Sequence, residues 1–148
     1  MKILDKELNI YSIKSDGKKQ YIPNFGFVNA GFPSPAEDFV DDNISLDERY
    51  LTHSESTFII VVGGDSMYPV YQKNDLLIIR TDLVPLHNDD IIVSVNKEDY
   101  TLKRFDKINN ELVALNPNYK NCVKIKEEDE VIILGVVGVL VREKSNRI

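Results

Sequence analysis

The chain has 148 residues, 43% of them hydrophobic and 28% charged, which fits one soluble globular domain and excludes a disordered chain. Against 24 acidic residues stand 18 basic ones, a formal charge of −6, and that is a poor footprint for binding nucleic acid directly. The single cysteine, Cys122, excludes an internal disulfide and a Cys-rich metal site, so no metal is expected and a reducing cytoplasm is the expected compartment.

In chain order, the first residues carry scattered charges and no apolar signal-peptide core. Residues 1–35 are irregular, with Lys14, Lys18 and Lys19 set among Gly17, Gly26, Gly31, Pro23, Pro33 and Pro35. No helical or strand period lasts there, which predicts a flexible, extended N-terminal arm ahead of a domain over 36–148. The stretch Ala36 to Glu48 holds six carboxylates, a pattern typical of a solvated face.

From Thr57 onward, short apolar runs alternate with turn signals. Strands are predicted at Thr57–Val62, Asp75–Arg80, Asp90–Val95, Tyr100–Lys107, Glu111–Leu115 and Glu130–Arg142. Their regular spacing indicates a mostly β fold, a compact sandwich or partly closed barrel. Asn74 and Asn88 stand just before strands, where asparagine tolerates a left-handed backbone. The longest apolar run, Val131 to Val141, is shorter than the roughly 18 to 20 residues that a membrane helix needs. No membrane association is expected.

The most informative segment is Gly63-Gly64-Asp65-Ser66-Met67-Tyr68-Pro69, at the end of a strongly apolar strand. Two glycines permit a sharp turn and the close approach of another chain. A serine at such a junction can point its hydroxyl the same way as nearby backbone N–H groups, as a nucleophile with an oxyanion site requires. The plainer alternative is a tight turn with an exposed serine. A nucleophile also needs a base. His53 and His87 sit in no catalytic pattern, and Cys122 has no assignable role.

A Ser-Lys pair is the other documented solution. Lys103 lies in Tyr100-Thr101-Leu102-Lys103-Arg104-Phe105, where a period of two puts it on one face with Thr101 and Phe105. A free lysine titrates near ~10.4, so about one in 2,500 is neutral at pH 7, a deficit of roughly 4.6 kcal/mol. Burial shifts lysines by up to ~3 to 5 units, enough to remove most of that. The plainer reading of Lys103 is a surface strand lysine beside Arg104.

Gly64-Asp65-Ser66-Met67 followed by Thr101-Leu102-Lys103-Arg104 resembles the LexA-like self-cleaving peptidases, which use a Ser-Lys dyad. Ala30-Gly31-Phe32-Pro33-Ser34-Pro35-Ala36 is similar to the cleavage-site region in the SOS-mutagenesis branch of that family. Further similar segments are Asn74-Asp75-Leu76-Leu77-Ile78, Leu115-Asn116-Pro117-Asn118-Tyr119 and Gly135-Val136-Val137. The family often has Gly-Asp where this chain has Asn74-Asp75 and Asn88-Asp89, a conformation asparagine also reaches.

The resemblance implies the LexA-like peptidase fold, with Ser66 as nucleophile, Lys103 as base, the N–H groups of Asp65 and Ser66 as oxyanion donors, and cleavage between Ala30 and Gly31. It implies no cofactor. As partners it implies a second copy in a homodimer, a RecA filament that stimulates cleavage and a UmuC-type error-prone DNA polymerase. A binding module that keeps the fold without cutting is the alternative. A signal peptidase would need a membrane anchor, and a repressor a DNA-binding domain for which about 30 residues ahead of the cut are too few.

Overall fold

The computed structural model describes residues 8–12, 22–23, 43–119 and 122–147. The chain divides into two compact units, residues 1–13 with 55–148, and residues 14–54. In the smaller unit β2 (Ile22–Pro23) pairs antiparallel with β3 (Asn43–Ile44), followed by the short helix α1 (Leu46–Tyr50). The Ser45 side chain caps α1 by accepting the Glu48 N–H at 3.4 Å. Of the acidic stretch, residues 36–42 lie outside the described residues.

The larger unit holds one eight-stranded antiparallel sheet curled into a half-barrel. Its members are β1 (Leu8–Ser12), β4 (Thr57–Val62), β5 (Leu76–Arg80), β6 (Asp90–Val95), β7 (Thr101–Asp106), β8 (Glu111–Val113), β9 (Val123–Lys124) and β10 (Val131–Val141). The order is β1-β4-β5-β10-β6-β7-β8-β9. The mostly β architecture expected from the sequence, a partly closed sheet, is therefore present. Asn74 and Asn88 have φ of 74° and 68°, the left-handed turn conformation expected of them. Among the described residues no helix is long and apolar enough to cross a membrane.

The alternation of side chains explains how one sheet supports two cores. Ile92 of β6 joins Leu8, Ile60, Val62, Met67, Tyr71, Leu77, Ile79 and Leu102. Its neighbours Ile91 and Val93 point the other way and join Phe105, Leu112 and Val136. This is why β6 reads as a continuous apolar run.

β10 lies between β5 and β6, which follow each other in sequence but do not pair. Its register shifts between Ile133 and Gly135 against β6, and between Val137 and Val139 against β5. These bulges bend the strand so that it serves both neighbours. A Cβ at Gly135 would lie 2.7 Å from the Arg80 carbonyl oxygen, so only glycine lets β5 pass so close.

β1 corrects the sequence reading of the N-terminal arm. Residues 1–35 show no lasting period, yet Leu8–Ser12 is a full strand, paired residue for residue with β4 from Leu8↔Val62 to Ser12↔Phe58. Leu8 is 1% exposed and Ile10 half-buried, while Asn9 and Tyr11 face solvent. Five residues carry only two apolar alternations, too few to stand out beside the lysines and glycines that follow. Burying Leu8 alone contributes about 1.5–3 kcal/mol.

Candidate active site

Ser66 sits on an irregular excursion between β4 and β5 that leaves and returns at one place. At its base the Val62 N–H donates to the Asp75 carbonyl at 2.9 Å, and the Asn74 N–H to the Val62 carbonyl at 2.7 Å. Gly63 and Gly64 lead out, and a single turn follows, closed by the Tyr68 N–H on the Asp65 carbonyl and the Tyr71 N–H on the Met67 carbonyl, both at 3.0 Å. The Tyr68–Pro69 peptide is cis.

A distant segment, Leu115–Tyr119, holds this turn from the side. Asn116 is 5% exposed and donates its Nδ2 to the Asp65 carbonyl at 2.8 Å and its backbone N–H to the Ser66 carbonyl at 2.9 Å. The Asn118 N–H steadies its Oδ1 at 2.9 Å. The Tyr119 hydroxyl donates to Asp65 Oδ1 at 2.6 Å. Across a trans peptide the N–H points opposite to the C=O. Fixing the Asp65 carbonyl toward Asn116 therefore turns the Ser66 N–H to the opposite side.

Lys103 arrives from the regular region of the fold. β7 pairs with β6 through Ile91↔Lys103 and Ile92↔Leu102, while β8 reaches only Arg104 to Asp106. The Lys103 amine donates to Ser66 Oγ at 3.1 Å, to Thr101 Oγ1 at 2.8 Å and to the Leu102 carbonyl at 3.1 Å. An ammonium has three donors and a neutral amine two. A neutral Lys103 can thus keep its N–H groups on Thr101 and Leu102 and offer its lone pair to the Ser66 hydroxyl. Ser66 is 5% exposed and Lys103 half-buried, so water competes little for either group.

Beside Ser66 lies a crevice of about 10 Å³ lined by Leu8, Val62, Gly64, Met67 and Leu102. It is apolar and small, of about the size of one water molecule.

Two ion pairs brace the surroundings. Arg104 holds Asp90, directly opposite it across the β6–β7 ladder, through bonds of 2.8 and 3.1 Å, and the Tyr71 hydroxyl donates to Asp90 at 2.5 Å. Burial first, then the bond to Asp90, pushes the Tyr71 hydroxyl well above the ordinary tyrosine range. Asp75, 2% exposed, takes two bonds from Arg142, at 2.7 and 2.6 Å. Its burial alone would raise the carboxyl, but Arg142 and the Gln72 N–H outweigh that and lower it.

Of the residues singled out in the sequence, the fold brings together Ser66, Lys103 and the backbone of Asp65. Ala30 and Gly31 lie outside the described residues. His87 Nδ1 accepts the Lys107 N–H at 3.1 Å, His53 sits beside Thr52 at 2.9 Å, and Cys122 is exposed. Among the described residues no three His, Cys, Asp or Glu side chains gather where a metal ion could sit. Sequence reasoning gave no role to Asn116, Tyr119, Tyr71 or Leu8. Only the pairing of Asp90 with Arg104 had a usable signal, since a β6–β7 hairpin in this register sets opposite charges face to face.

Comparison with known proteins gives matches over most of the chain. A family model described as Peptidase S24-like matches residues 23–138. The LexA repressor of Clostridium perfringens is 34% identical over 136 residues, covering 90% of this chain and 66% of that protein. That of Halalkalibacterium halodurans is 33% identical over 141 residues, 94% of this chain and 66% of the relative. That of Geobacter sp. strain M21 is 36% identical over 124 residues, 80% and 60%. The chain therefore spans just under two thirds of the length of these relatives.

Proposed function

This chain belongs to the Peptidase S24-like family, and from that premise we propose that it is a self-cleaving serine peptidase with Ser66 as nucleophile and Lys103 as base. The observation that carries the reading is the 3.1 Å contact between the Lys103 amine and Ser66 Oγ, away from bulk water. Neutral Lys103 takes the Ser66 proton as Oγ attacks the Ala30 carbonyl carbon. The N–H groups of Asp65 and Ser66 receive the charge that grows on the carbonyl oxygen. The Lys103 ammonium then protonates the Gly31 nitrogen as the peptide bond breaks, leaving residue 30 as an ester on Ser66. Water, deprotonated by the same amine, hydrolyses the ester and restores the serine.

The finer role we propose is that of UmuD, an SOS-mutagenesis protein. The product starting at Gly31 acts as a homodimer with a UmuC-type error-prone polymerase, and a RecA filament stimulates the cut. The support is the similarity of Ala30–Ala36 to the cleavage region of that branch, together with a formal charge of −6 that suits protein partners better than DNA. A second reading, repression, is favoured by the relatives' name, LexA repressor. Polymerase binding by the cleaved product supports the first reading, and specific binding of the intact protein to operator DNA supports the second.

The test of the chemistry is intact-mass analysis of the protein after incubation from pH 7 to 10, beside Ser66→Ala and Lys103→Ala. The expected product starts at Gly31 and forms faster as rising pH deprotonates the lysine. It is absent from both variants. A product that persists in either variant, or a wild type left whole with an activated RecA filament, overturns the dyad.

A further inference from the structure

β1 carries an arrangement that the proposed reaction does not use. It precedes the bond between Ala30 and Gly31, yet it is the outermost strand of the sheet that holds Ser66. Its five residues pair with β4 in unbroken register, and Leu8 is buried among Ile60, Val62, Met67 and Leu102. The same side chain walls the crevice at Ser66. A cut after Ala30 therefore does not divide the protein into independent folded pieces. It severs a chain whose segments on either side of the break stay joined by a strand ladder and a buried leucine. Without β1, β4 itself becomes the sheet edge, with its outward main-chain N–H and C=O groups unpaired and some of the Ile60 and Val62 surface uncovered.

We propose that the outer edge of β4 is a strand-docking site whose occupant is this chain's own residues 8–12, and that the severed N-terminal piece remains there, non-covalently, after cleavage. Release is then a second step, separate from the chemistry. A competitor for the edge is an extended segment with apolar side chains at alternate positions, spaced as Leu8 and Ile10 are, and with no proline among its pairing residues. The inference rests on the proposed cut only for which piece is severed; the strand pairing stands without it.

The test makes the cut independently of Ser66. The full chain carries Ser66→Ala and a recognition sequence for a specific endopeptidase inserted between Ala30 and Gly31. After digestion it is run on gel filtration, and each fraction is read by denaturing mass spectrometry. Both pieces are expected in one fraction. Added peptide of residues 1–13 is expected to displace the N-terminal piece, and the same peptide with Leu8→Asp is not. Separate elution of the pieces, displacement by neither peptide or equal displacement by both overturns the proposal. Because an added protease makes the cut, failure of self-cleavage in the wild type would not alter this result.

Discussion

Ser66 and Lys103 meet at one point but are held there by different means. Lys103 inherits its position from a ladder: β7 pairs with β6, and β6 with β10, through repeated main-chain bonds. Ser66 lies on a loop whose course is fixed by individual contacts from far along the chain, above all Asn116 and Tyr119. A ladder distributes its strength over many equivalent bonds, so one side-chain change moves it little and only a backbone clash breaks it. A pinned loop depends on a few groups, so one substitution can displace Ser66 while the sheet survives.

At Gly135 the ladder has no slack. Gly135→Ala places a methyl 2.7 Å from both the Arg80 carbonyl oxygen and Ile79 Cγ2. It is expected to cost about 3 kcal/mol and lower the melting temperature by about 6–12 °C, with cleavage falling in parallel. Calorimetry beside a cleavage assay checks this, and an unchanged melting temperature would remove the argument from strand spacing.

Asn116→Ala tests the loop side. It removes the Nδ2 bond to the Asp65 carbonyl and is expected to cost about 1–3 kcal/mol of stability. Cleavage measured well below the melting temperature should fall about tenfold or more, since a misplaced hydroxyl loses its alignment. Asn116→Asp, which keeps an acceptor for the Asn118 N–H but sets a carboxylate against the Asp65 carbonyl, should do no better. Loss of stability with an undiminished rate would mean that Asn116 braces the fold without positioning Ser66.

Near neutral pH the mildest effects are expected from two titrating groups, which act only toward the alkaline and acid extremes. Folded Tyr71 holds its proton more tightly than the unfolded chain does. Its contribution is complete below about pH 10 and is lost as the pH climbs further. Asp75 is the reverse: its carboxyl is lowered on folding, so its contribution is present above about pH 4 and fades as the pH falls below that. Urea unfolding across pH should show both limbs. Tyr71→Phe should flatten the alkaline limb and Asp75→Asn the acid one. If both variants keep the wild-type profile, neither group governs it.

The same contrast decides what could be read from the sequence. β4 and β6 carry the predicted boundaries, Thr57–Val62 and Asp90–Val95, because a strand's apolar pattern is local. The placement of Lys103 beside Thr101 followed from the period of two alone, and the 2.8 Å bond between them is its consequence. The hold of Asn116 on Asp65 spans 51 residues and leaves no periodic trace. β1 was hidden for another reason. It is short, and most of what marks it as a strand is its partner β4 rather than its own composition.

The position of β10 has a consequence for the order in which this protein comes into being. β5 and β6 emerge from the ribosome one after the other, yet the strand that lies between them in the sheet, β10, is made well after both. Until Val131–Val141 is synthesised, the strands flanking Ser66 and the strand bearing Lys103 share no direct ladder. A nascent chain that has already exposed both residues is thus expected to stay uncut, and competence for the proposed reaction arrives only with β10.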